Sequence, residues 1–235
     1  MVNRTITRLL ICFSAILLLT ISFPIEIGQK IVYAEHSLPI ISDQGFITIE
    51  VYPRKHKLIV KKHGKTVKTY PVAVGNPSTP TPVGEYKVTS KGKDWGPSFG
   101  PRWLGLNVPW GIYGIHGTNK PHSIGQHMSH GCIRMRNNDV IELFKMIPLG
   151  TKVTIHGHVL GDLSHDPRDL AEGDVGGDVQ LIQSRLKSAG YYHGNCDGKF
   201  RSSTTAALKK FQRARKLIPN GVVSSRVYQE LGLLE

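Results

Sequence analysis

The residues able to do chemistry cluster between His116 and Arg134. His116-Gly117-Thr118 is followed, twelve residues on, by Ser129-His130-Gly131-Cys132-Ile133-Arg134. A thiol attacks only as its thiolate, and an ordinary cysteine, with pKa about 8.5, is largely protonated at neutral pH. It therefore needs an imidazole nearby to take its proton, and that imidazole needs a third group to orient it. Cys132 and His116 meet that need if two adjacent strands or loop ends bring them together. Gly131 lets backbone N–H groups approach a developing oxyanion closely. Arg134, two positions beyond Cys132 along an extended segment, projects on the same side as the thiol, to favour thiolate or hold a substrate carboxylate. Three blander readings compete. Cys132 could be a small buried hydrophobe, or it could pair with Cys196 in a disulfide. His116, His122, His127, His130 and Cys132 could also hold a metal, but their spacing fits no standard zinc pattern and Cys132 has no CxxC partner. The reading therefore assigns no metal and no organic cofactor.

The elements that must position these residues are strands. From 46 to about 156 the chain reads as β: Ile47-Thr48-Ile49-Glu50-Val51 alternates with period two, and Leu58-Ile59-Val60 continues it. His63-Gly64-Lys65 makes a hairpin turn, and short runs near Tyr86 and Gly111–Ile115 follow between Gly- and Pro-rich loops. One helix interrupts, with Asn138 as its cap, 139–147 as its body and Pro148 as its stop. Residues 157–173 carry four acids against Arg168 alone and read as an acidic linker. Residues 174–235 read as three helices, with apolar residues at helical spacing and Asp178 and Gly190 as punctuation. The loops entering the second and third of these, Asp197-Gly198-Lys199-Phe200 and Asn220-Gly221-Val222-Val223, resemble each other. The expected fold is thus two domains: a mostly β, sandwich-like sheet with one covering helix, then a small all-α three-helix bundle.

The N-terminus bears on where this chemistry takes place. Arg4 and Arg8 precede an apolar run over 9–23, shorter than the roughly 20 residues of a membrane span. Basic flank, short apolar core and Ala34 before a polar stretch make residues 1–34 a secretory signal cleaved after Ala34, with an uncleaved membrane anchor as the alternative. The whole chain has 30 Lys+Arg against 17 Asp+Glu, a formal charge of +13. Removing 1–34 takes away three bases and one acid and leaves +11. Export makes nucleic acid a poor partner and favours wall polymers, anionic ones included. Of the 3 cysteines, Cys12 leaves with the signal, and a thiol kept free outside the cell invites a chemical explanation.

At 115–118 and 129–134 the sequence resembles the YkuD-type L,D-transpeptidases, whose pattern is a His, a spacer, then Ser/Thr-x-Gly-Cys and an Arg or Asn two positions later. Pro80-Thr81-Pro82-Val83-Gly84-Glu85-Tyr86 resembles that family's segment entering a strand. The resemblance covers 46–156. It implies a catalytic domain in which Cys132 attacks meso-diaminopimelate at position 3 of a donor stem, expelling D-alanine. The resulting thioester passes to an acceptor amine in a 3→3 crosslink. His116 is then the proton donor and acceptor, oriented by the Gly117 carbonyl, and the amides of Gly131, Cys132 and His130 form the oxyanion hole. Arg134 and Ser129 contact substrate, Trp95, Trp103 and Trp110 line the cleft, and carbapenems acylate Cys132. Residues 174–235 resemble the three-helix peptidoglycan-binding domain through Gly190-Tyr191-Tyr192, Gly194, Asp197-Gly198-Lys199-Phe200, Thr204, Phe211-Gln212 and Gly221. Arg201, Asn220 and Tyr228 depart from that pattern. The partners so implied are peptidoglycan stem peptides and glycan. An L,D-carboxypeptidase with the same Cys-His pair, and a non-catalytic wall-binding protein, are the competing functions.

Overall fold

The computed structural model describes residues 46–161 and 167–234. The signal-sequence reading, and with it Cys12, lies outside the described residues.

The sheet forms where apolar residues alternate. β1 (Ile47–Tyr52), β2 (Lys57–Lys62) and β3 (Lys65–Pro71) make an antiparallel meander. Ile49 and Val51 of β1, with Leu58 and Val60 of β2, enter the core while the intervening polar side chains face out. β3, at the sheet edge, shows solvent mostly Lys and Thr, residues that discourage edge-to-edge pairing. The full order is β3-β2-β1-β10-β5-β6-β7-β9. β10 (Lys152–Ile155) lies parallel to β1, and the ten-residue β5 (Gly84–Lys93) bridges the two halves. Its first half pairs with β10 and its second with β6 (Arg102–Leu106), with a register shift between Val88 and Ser90. That irregularity curls the sheet, giving the sandwich-like arrangement expected. β7 (Tyr113–His116) and β9 (Ile133–Arg134) complete it, and a small parallel pair, β4 (Val74–Gly75) with β8 (His127–Ser129), stands apart.

The covering helix α1 runs Asn137–Met146 and buries Val140 and Leu143 against the sheet. It begins two residues earlier than the sequence suggests, and no side chain caps it: Asn137 Oδ1 accepts the N–H of Thr118 at 2.9 Å instead. At the other end Lys91 donates to the carbonyls of Phe144 and Ile147 at 2.6 and 2.7 Å. A cation on carbonyls that have no helical partner is favourable twice over, by hydrogen bond and by dipole.

The C-terminal part comprises α2 (Gly177–Ser188), α3 (Ser202–Ala214) and α4 (Ser225–Glu230), packed around Val179, Ile182, Leu186, Leu208, Phe211 and Tyr228. Asp178 is not the cap of α2 but sits in its first turn. The two similar turns share one device. Gln183 is fully buried, accepting the N–H of Gly198 and donating to the carbonyl of Lys199; Gln212 does the same for Gly221 and Val222. Asn220 Oδ1 accepts the Val222 N–H as Asp197 Oδ1 accepts that of Lys199. The turn therefore needs an oxygen, not a charge, and the Asp-to-Asn departure is structurally silent. Tyr228 is likewise accommodated, its hydroxyl donating to the Arg168 carbonyl at 3.0 Å.

The described C-terminal end of the acidic segment is not a free linker. From Pro167 onward it belongs to the bundle: Leu170 is 0% exposed and bridges backbone-to-backbone with Val223. Arg168 pairs with Asp174 and Asp178, and Glu172 accepts from Thr205. Composition misleads here because Arg168 pairs with acids beyond the segment, Glu172 bonds Thr205 and Leu170 is buried. Leu170→Ala should destabilise the bundle by about 3 kcal/mol, the usual cost of a buried Leu-to-Ala cavity. Urea unfolding of the full chain followed by circular dichroism measures it, and a linker residue would show no loss.

Candidate active site

β7 and β9 run parallel, with Ile115 opposite Ile133 and His116 opposite Arg134. Both isoleucines enter the core, so His116 and Arg134 lie on the other face of the sheet. Cys132, one residue before Ile133, falls on that face too, beside Gly114, whose backbone hydrogen-bonds the thiol. Alternation and register thus bring nucleophile, imidazole and guanidinium to one face from two neighbouring strands.

The catalytic loop is held from behind. Asn76 N–H donates to the Ser129 carbonyl and Ala73 N–H to that of Arg134, while the buried Thr81 hydroxyl accepts from the Gly75 amide. Through Thr81 the 80–86 motif therefore anchors β4, which pairs with β8, the strand that leads into the loop. Ser129 is fully buried, donating to the Cys132 carbonyl at 2.5 Å and accepting the Gly131 N–H at 3.1 Å. This corrects two expectations. The Ser129 hydroxyl is buried and closes the turn, so it is not held out toward a substrate. The Gly131 amide is engaged within that turn and is not offered to an oxyanion. Gly131 is required for another reason: its φ is +104°, and a Cβ there would stand 2.6 Å from the Tyr113 ring. His130 is exposed beside a cleft.

His116 is almost wholly enclosed. Its Nδ1 lies 2.5 Å from the Gly117 carbonyl, so the ring is held as the Nδ1–H tautomer with Nε2 as the basic nitrogen. Trp103 stacks on it at 5.5 Å between centroids and Phe99 meets it edge-on at 5.1 Å; Trp95 stacks in turn on Trp103 at 4.8 Å. Burial within these rings pushes the imidazole pKa down to about 4, against the opposing pull of the Gly117 and Phe99 carbonyls. Burial also pushes the Cys132 thiol up, more than Gly114 and Arg134 bring it down. The resting pair is neutral thiol and neutral imidazole, not the readily ionised thiol the sequence suggests. Arg134 Nη1 donates to the Met128 carbonyl, and its Nε is buried without a hydrogen-bond partner among the described residues.

The three tryptophans separate. Trp103 is 2% exposed and forms the wall behind His116; Trp95, at 49%, is the outer layer; Trp110 is buried against the helical bundle, off the imidazole. The sequence reading missed Phe99, Tyr113 and the glycines that make room for Trp103. Gly105 and Gly114 stand opposite each other on β6 and β7, and a Cβ on Gly114 would lie 2.6 Å from the indole. Two facing glycines inside strands are the signal that could have found this trough. Both free cysteines are half-buried, and no disulfide joins Cys132 to Cys196. No cluster of three or more metal-ligating side chains forms among the described residues.

Comparison with known proteins gives the lineage. The sequence model of the L,D-transpeptidase catalytic domain matches residues 47–155, and that of a putative peptidoglycan-binding domain matches 175–231. Putative L,D-transpeptidase YkuD of Bacillus subtilis is 48% identical over 99 residues, 42% of this chain and 59% of that protein. Putative L,D-transpeptidase YqjB of the same organism is 39% identical over 122 residues, 45% of this chain and 68% of that protein. This chain belongs to the L,D-transpeptidase family. It spans about three fifths of the length of the YkuD relative. The catalytic domain of the E. faecium L,D-transpeptidase aligns in structure with a TM-score of 0.42 and 28% identity, covering 47% of this chain and 96% of that one. The stretch matched to the L,D-transpeptidase domain contains every residue of the face just described, and a peptidoglycan-binding domain follows it.

Proposed function

We propose that the protein is an exported L,D-transpeptidase that crosslinks peptidoglycan stems through a thioester on Cys132. The observation that carries this reading is the single sheet face shared by Cys132, Arg134 and the carbonyl-oriented His116, within a chain of this family. The Arg134 guanidinium, on the same face as Cys132, takes the donor's carboxylate. As Sγ bonds to the scissile carbonyl carbon, its proton passes to His116 Nε2, and the oxyanion is met by the amides of Cys132 and His130. Collapse breaks the C–N bond, His116 returns the proton to the departing D-alanine amine, and the thioester remains. An acceptor amine then attacks, His116 removes its proton, and C–S cleavage gives the new amide and a thiolate that the imidazolium reprotonates.

The helical module supplies the peptidoglycan contact and keeps stems at high local concentration. Export is supported by the pattern of 1–34 and by the surplus of positive charge suited to anionic wall polymers. Purified muropeptides test the reaction: 3→3 dimers are expected. Tripeptides and D-alanine alone would make the enzyme an L,D-carboxypeptidase, and no turnover with retained sacculus binding would make it a wall-binding protein.

A further inference from the structure

The helical module touches the transpeptidase sheet at one point close to the chemistry. Trp110, in the loop before β7, is 7% exposed, and part of its cover comes from the module. A Cβ on Gly198 would stand 2.5 Å from Trp110 Cε3, and one on Gly177, the first residue of α2, 3.6 Å from its Cη2. The indole thus lies flat on a glycine of the Asp197-Gly198 turn, a position at φ +70° where any side chain would displace it. On its other side the indole N–H faces Tyr113 and tempers the rise that burial gives its hydroxyl pKa, and Tyr86 meets the indole edge-on at 6.5 Å. The Tyr113 ring then fills the space where a Gly131 side chain would be. A cleft of about 770 Å³, lined on one wall by Tyr113, His130 and Pro80 and on the other by Gly176 and Asp178, runs beside this contact.

The geometry points to Trp110 as a positioning residue: the peptidoglycan-binding module seats its indole on Gly198 and Gly177, and through Tyr113 that indole fixes the Gly131-Cys132 turn. The module is then a structural part of the active site and not only an anchor. This rests on the Cys132 reading for its consequence in catalysis, but the contact is testable without turnover. A loosened turn exposes and hydrates the thiol, so its alkylation should speed up while its productive geometry is lost.

The test is the rate of iodoacetamide alkylation at Cys132, followed by mass spectrometry on the full chain, with Cys196 already changed to Ser. Gly198→Ala should raise that rate about fivefold and lower carbapenem acylation by a similar factor, since small displacements of a reacting atom carry large rate penalties. Gly221→Ala is the matched control. It stands in the equivalent turn at φ +80° but faces only Thr205 and Lys209 of the module, so it should stay within about twofold despite comparable backbone strain. Trp110→Phe and Tyr113→Phe, which remove the facing indole N–H and phenol hydroxyl, should have overlapping rather than additive effects on alkylation. Equal responses to the two glycine changes, no response to either, or additive phenylalanine effects would each overturn the strut. A wild type that alkylates but never acylates would overturn the catalytic reading instead.

Discussion

Cys132→Ser is expected to fold as the wild type does, yet to gain no mass on treatment with a carbapenem and to form no crosslinked muropeptide. The loss of turnover should be at least about a thousandfold, as when a nucleophile is removed from a constellation whose members act as a unit. Both parts follow from the position of the sulfur. Cys132 is half-buried on the face opposite the sheet core, and its carbonyl already receives the Ser129 hydroxyl, so an oxygen in place of sulfur leaves the turn intact. A serine hydroxyl, however, is far harder to ionise than a thiol, and the nearby imidazole, held near pKa 4, is too weak a base to compensate. Cys196→Ser is the companion measurement. Cys196 is free and packs against the helical core, so its loss should leave acylation unchanged. A single adduct on wild type and on Cys196→Ser, none on Cys132→Ser, and unchanged thermal unfolding is the expected set. An adduct that persists on Cys132→Ser would remove the nucleophile assignment.

How far the sequence reveals this site depends on which physics sets each part. The period-two runs in β1 and β2 and the helical spacing of Val179, Ile182 and Leu186 declare their elements because each has one buried face. Spacing alone also suggests that a histidine and a cysteine sixteen positions apart could meet, but not that a parallel pairing of β7 with β9 would do it. Long-range register leaves no mark in either segment alone. Ser129 illustrates a different blindness. A serine two residues before a glycine-cysteine pair looks available to a ligand, and only the folded turn shows both its hydrogen-bonding directions occupied. Trp103 and Trp110 are alike in composition and neighbourhood, yet one stacks on the imidazole and the other on the helical module. Which glycines face each indole decides that: Gly105 and Gly114 for Trp103, on its own strand and its neighbour, and Gly198 in the other domain for Trp110. The ionisation of the pair was the least legible property. Arg134 beside Cys132 suggests an activated thiolate, whereas enclosure by Trp103 and Phe99 disfavours charge on the imidazole, and burial of the thiol disfavours it on sulfur.

That enclosure has a measurable consequence at acid pH, both for activity and for stability. An unenclosed histidine titrates near 6.5, but His116 remains neutral down to about pH 4. The acid limb of kcat/KM should therefore fall near pH 4, with little loss between pH 7 and 5, while His116→Gln should lower activity by about a hundred- to ten-thousandfold across the range. The stability effect has a definite sign. Between about pH 6.5 and 4 the unfolded chain binds a proton at this position that the folded chain refuses, so folding is favoured less as pH falls through that window. The contribution is complete above about 6.5 and lost below about 4, and the displacement corresponds to about 3 kcal/mol. His56, whose pKa burial also lowers, acts in the same direction and is present in both proteins, so it cancels in the comparison. Urea unfolding of wild type and His116→Gln at pH 7 and at pH 4 isolates the term: wild type should lose about 3 kcal/mol more than the variant on acidification. Equal losses would mean that water reaches the imidazole. The acid limb would then move back toward 6.5, and the aromatic wall of Trp103 and Phe99 would no longer account for a neutral base at the pH where the thiol is attacked by nothing stronger than Nε2 of His116.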